Sequence, residues 1–102
     1  MSLVLARVMT FYAASDKIAD LVTAMRSELP PRYESIPGYR GILVLEKPGG
    51  NHIIAITFWD GQEGVEASED AAADNAKRIG HASGTTVSVH VYDVMGTSGL
   101  FD

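Results

Sequence analysis

Apolar and polar positions along the chain change period several times, and each change marks an element. Leu3 to Tyr12 is dense in Leu, Val, Met, Phe and Tyr with Arg7 as its one charge, the profile of a first strand covered on both faces. Ser15 and Asp16 suit a helix start, and Ile18, Leu21, Val22, Met25 and Leu29 then recur at helical spacing. Pro30 and Pro31 should disturb that helix, since each removes an amide donor and crowds the preceding turn; the stretch from Tyr33 to Ile36 has room for a short second helical piece. Pro37-Gly38 signals a turn, Tyr39 to Lys47 a second strand, Pro48 to Asn51 a hairpin loop, and His52 to Trp59 a third strand. Asp60 and Glu63 have capping-box spacing, so a second helix should start directly after Trp59 and run to Arg78 or Ile79, with Gly80 as its stop. Thr85 to Met95 reads as a fourth strand, and Gly96 to Asp102 as a polar, Gly-containing tail.

The order β-α-β-β-α-β over residues 1–102 predicts a single α+β domain of the ferredoxin-like class: an antiparallel four-stranded sheet with both helices on one face. In the third strand Ile54, Ile56 and Phe58 point one way and Ile53, Ala55, Thr57 and Trp59 the other. In the first strand Leu3, Leu5, Arg7, Met9 and Phe11 alternate with Val4, Ala6, Val8, Thr10 and Tyr12. Whichever set meets the helices, the set left over is also apolar. A bare face of that kind exceeds what a monomer usually exposes, so a homodimer packed through its sheet faces is expected.

Composition narrows the chemistry. The 102 residues hold no cysteine, which removes disulfides, thiolate catalysis and thiolate metal sites. Eight Lys and Arg against thirteen Asp and Glu give a net charge of −5, without a basic patch for nucleic acid. No apolar run has membrane-spanning length and no export signal opens the chain, so a cytoplasmic protein is expected, with neither nucleic acid nor membrane as partner. The three histidines, His52, His81 and His90, are scattered and make no metal-ligand spacing. No phosphate-binding loop or dinucleotide fingerprint occurs, and no cofactor is expected.

Ala6-Arg7-Val8, Ile36-Pro37-Gly38-Tyr39-Arg40-Gly41, Ile56-Thr57-Phe58-Trp59-Asp60 and Val89 to Val94 together resemble the antibiotic biosynthesis monooxygenase-like family of the dimeric α+β barrel superfamily. The resemblance implies a dimeric α+β barrel. For activity it implies a range, from cofactor-free monooxygenases on aromatic polyketides to haem-degrading oxygenases and isomerases. The haem-degrading branch adds an Asn on the first strand and a haem-binding His on the second helix. Aligned on Trp59 and Ile18, those places hold Ala6 and Glu69, so the haem role is not carried over.

Candidate substrate-binding residues are Trp59, Thr10, Tyr39, His90 and Tyr92. Trp59 either floors a pocket for a flat apolar ligand or is a core aromatic. The small residues expected around it, Ala6, Thr10, Ala55 and Thr57 with the alanines of the second helix, either leave a cavity or let the helix sit close. His90 and Tyr92 share a face and either line a site or sit within the dimer. Arg7 needs a partner, for which Glu46 of this or the other subunit is the candidate. Two functions stay open: a cofactor-independent oxygenase acting on a small aromatic or quinol-like substrate, and a non-catalytic dimeric small-molecule-binding or stress-associated module.

Overall fold

The computed structural model describes residues 4–83 and 86–100. Strand β1 (Val4–Tyr12) is followed by a short 3₁₀ turn (Ser15–Lys17), helix α1 (Ile18–Tyr33), strands β2 (Tyr39–Glu46) and β3 (His52–Asp60), helix α2 (Gly61–Ser83) and strand β4 (Thr86–Asp93). The four strands form one antiparallel sheet in the order β2-β3-β1-β4. This is the expected ferredoxin-like arrangement.

The ends of several elements differ from expectation. Pro30 and Pro31 lie inside α1, which continues to Tyr33; the amide of Glu34 still reaches the Pro30 carbonyl at 3.0 Å. Two prolines are tolerated because they sit in the last turn, where only the carbonyls of Arg26 and Ser27, both on exposed residues, lose their amide donors. Gly80 does not stop α2, which runs on to Ser83, so the His81 backbone is helical rather than beyond the helix. Strand β4 ends at Asp93 instead of Met95. Leu3, Thr85, the end of the tail at Phe101 and Asp102, and the His81 side chain lie outside the described residues.

Which sheet face meets the helices is settled by register. Leu5 pairs with Trp59, Arg7 with Thr57, Met9 with Ala55 and Phe11 with Ile53, and all eight are buried. Ile18, Leu21, Met25, Leu29 and Tyr33 of α1 pack on that face, and α2 adds Val65, Ala72 and Ile79. The opposite face carries Val8, Thr10, Ile54, Ile56 and Phe58 in the centre, with Leu43 and Leu45 on one side and His90 and Tyr92 on the other. Leu43, Leu45 and Tyr92 are exposed there. Among the described residues, no helix is long and apolar enough to cross a membrane.

One turn ties the layers together. Gly38 adopts φ +90° between α1 and β2, and its carbonyl accepts from the Asp60 amide at 2.7 Å. A Cβ at Gly38 would lie 3.2 Å from the Gly64 Cα of α2. Gly38→Ala is therefore expected to lower unfolding stability by about 1–2 kcal/mol, the cost of a left-handed backbone with a Cβ, as read in urea denaturation.

Candidate functional site

The interior between helices and sheet is apolar except at one end, where five elements bring polar groups together. Trp59, the only tryptophan, is the last inward residue of β3 and is 0 % exposed. Its Nε1 donates to Thr57 Oγ1, two residues back on the same face, at 2.8 Å. Tyr33, ending α1, meets the indole edge-on at 5.7 Å between ring centroids, and Tyr39, opening β2, does so at 5.5 Å. The two tyrosine rings stack at 6.1 Å. Gly64 of α2 completes the packing, since a Cβ there would stand 3.3 Å from the indole. The small residue thus lets the helix sit close to Trp59, one of the two outcomes that small residues allowed.

Arg7 enters the same region from β1 and is 3 % exposed. Its Nη1 donates to Ser68 Oγ at 2.6 Å and its Nη2 to the Val65 carbonyl at 2.9 Å, while Ser68 Oγ donates to that same carbonyl at 2.8 Å. The guanidinium carbon lies 6.0 Å from the Trp59 ring centroid. Both partners are neutral, so the buried charge is solvated by dipoles. Burial lowers the Arg7 pKa, and Tyr33 and Glu69 oppose the shift electrostatically. Within the chain the pairing with Glu46 does not form: Glu46 pairs with Ile53, at the far end of the sheet from the Thr57 that faces Arg7.

Tyr33 and Asn75 supply the remaining polar atoms. Tyr33 Oη and Asn75 Nδ2 are both buried without a hydrogen-bond partner. Burial pushes the Tyr33 phenol pKa up; the Asn75 amide, near enough to favour the phenolate, and the charges of Arg7 and Arg32 pull the other way. A phenol and a guanidinium thus lie against an indole, with an amide near the phenol, a set able to hold an oxygen-bearing anion. Burying such groups without full satisfaction costs stability, about 1–3 kcal/mol for each lost partner.

Of the candidates named from sequence, the structure brings Trp59 and Tyr39 together. Thr10, His90 and Tyr92 lie on the open face: Thr10 pairs with Ile54, His90 with Val8 and Tyr92 with Ala6. Ala6 and Thr10 therefore do not line the Trp59 side, and the strand-one residue that does is Arg7. The alternation was read correctly but the two strands' sets were matched one residue out of step, which reverses the face. Asp60 Oδ1, expected to cap α2, accepts from Arg40 at 3.0 Å.

Arg7, Tyr33, Ser68 and Asn75 were missed as site residues. Their signal was positional: Tyr33 continues the α1 stripe Ile18-Leu21-Met25-Leu29, and Ser68 and Asn75 interrupt the α2 stripe Val65-Ala72-Ile79. Among the described residues no group of His, Asp or Glu assembles as metal ligands. His52 contacts Tyr12 and Asn51, away from this interior, and Glu69 is exposed.

No protein-family model and no curated protein matches the chain. Solved structures do. A monooxygenase from the ActVA-Orf6 gene of Streptomyces coelicolor, bound to nanaomycin D, superposes with TM-score 0.76 at 11% identity, covering 94% of this chain and 91% of that one. The chain has the fold of the antibiotic biosynthesis monooxygenases. A Deinococcus radiodurans protein of that type gives TM-score 0.74 at 14% identity, covering 96% and 99% of the two chains. The haem-degrader MhuD of Mycobacterium tuberculosis, with two haems in its active site, gives 0.72 at 19% identity, covering 93% and 99%. At these identities the likeness is one of fold.

Proposed function

We propose that this protein is a cofactor-independent oxygenase that takes a small aromatic, quinol-like substrate into the interior beside Trp59. The observation that carries the reading is the placing of Arg7 and Tyr33 against the indole, with Asn75 near the Tyr33 phenol, in a fold shared with a monooxygenase bound to nanaomycin D. An electron-rich phenol or anthrone reacts with O2 most readily as its anion. A guanidinium held only by neutral groups favours that anion, and the phenol and amide can donate to its oxygen. For an anthrone the sum is a methylene plus O2 giving a carbonyl plus water. One oxygen atom enters the product, the other leaves as water, and all electrons come from the substrate.

Trp59 and Tyr33 are fully buried, so a substrate reaches them only by opening the packing around them. The same burial favours the second reading, a non-catalytic dimeric binding module. Oxygen uptake on a panel of hydroxynaphthoquinols and anthrones separates the two. Uptake with stoichiometric carbonyl product supports the oxygenase; tight binding without uptake supports the module.

In either case we propose a homodimer closed by the open sheet face. Leu43, Leu45, Ile54, Ile56 and Phe58 are contiguous there, and a second copy offers the same apolar surface without charges to desolvate. The expected result in analytical ultracentrifugation is a dimer for the natural chain and a monomer for Leu43→Glu/Leu45→Glu. A monomeric natural chain would sink this assignment.

A further inference from the structure

We propose that Trp59 and Tyr39 form a one-electron relay that carries an oxidising equivalent from the buried interior to the surface, with Tyr39 as its terminus. Trp and Tyr are the side chains that most easily lose an electron in a chain without cysteine. Transfer between them falls steeply with distance, so rings in contact are strongly coupled. Trp59 touches two tyrosines at similar separation, 5.7 Å for Tyr33 and 5.5 Å for Tyr39. Proton chemistry distinguishes them.

A tyrosine gives up an electron easily only when its phenol proton leaves as well. Tyr33 is fully buried, and the groups acting on it are an amide and two cations, Asn75, Arg7 and Arg32; none of these accepts a proton. Tyr39 is only partly buried, so its phenol proton can leave to water, although burial first and the Glu34 charge second raise its pKa. The indole N–H is held by the Thr57 hydroxyl, a poor base, so the oxidised indole keeps its proton and stays a cation, its more strongly oxidising form.

An organic peroxyl radical is an oxidant of the class the relay would serve. It takes one electron from Trp59 and one proton from solvent to become a hydroperoxide. The indole radical cation then recovers an electron from Tyr39, whose phenol proton passes to water. A small thiol or ascorbate at the surface returns the tyrosyl radical to tyrosine. The relay rests on ring geometry rather than on the proposed oxygenase activity, and it is tested without substrate.

Photoionisation of the sole tryptophan in the intact protein, followed by transient absorption, is the test. The expected record is decay of the indole radical matched by rise of a tyrosyl radical, at a rate independent of protein concentration. Tyr39→Phe, which keeps the ring, should lose the rise, and Tyr33→Phe should retain it. Absence of a tyrosyl rise in the natural chain, or a rise that survives Tyr39→Phe, overturns the proposal.

Discussion

Trp59→Ala is expected to lower unfolding stability by about 3–5 kcal/mol, read by far-UV circular dichroism in urea because the substitution removes the fluorophore. The indole is 0 % exposed and is enclosed by Tyr33, Tyr39 and Gly64. Truncation loses its transfer free energy and leaves a void that a sheet, two aromatic rings and a helix start cannot all collapse to fill. Trp59→Phe keeps most of the apolar area and loses chiefly the smaller ring and the Nε1 bond to Thr57, so its cost should be about 1–2 kcal/mol. The size of the alanine effect is diagnostic. A ring that rims a ligand-sized hollow already lacks partners on one side, and its removal would cost well under ~3 kcal/mol. The larger loss means that the interior is packed when no ligand is bound and that substrate must open it.

Much of the fold was legible because its signals are local and agree with one another. The Ile18-Leu21-Met25-Leu29 stripe, the Pro37-Gly38 turn and the alternation from Ile53 to Trp59 each specify an element, and their order leaves few topologies. Trp59 and Tyr39 stood out for the same reason, as aromatics at strand ends beside a turn. The site was only half legible because its other members are defined by non-local pairing. Strand alternation separates Arg7 from Thr10 but does not say which goes inward; that depends on pairing with β3, where one residue of slip reverses every side chain. A lone arginine in an apolar strand reads as outward or salt-bridged. Here it goes inward because Ser68 and the Val65 carbonyl of α2 meet it, a match made across 61 and 58 residues of sequence. Ser68 and Asn75, taken alone, look like interruptions of an alanine-rich helix.

Arg7→Met should separate folding from function. Methionine has a similar length and no charge, so it removes a buried guanidinium whose hydrogen bonds go to neutral acceptors. It also leaves little unsatisfied, because Ser68 Oγ still donates to the Val65 carbonyl at 2.8 Å. The expected outcome in urea denaturation is unchanged stability or a gain of up to about 4 kcal/mol, as when buried charges give way to apolar residues of similar volume. Turnover of a quinol or anthrone should move the other way, falling by about 10²–10³-fold, the usual consequence of removing one donor that stabilises an oxyanion in a dry site. A structural arginine predicts the reverse pair of results: a marked loss of stability with the remaining folded fraction fully active. Stability retained with activity lost would mean that the chain keeps a costly charge in its core for the sake of a negatively charged substrate.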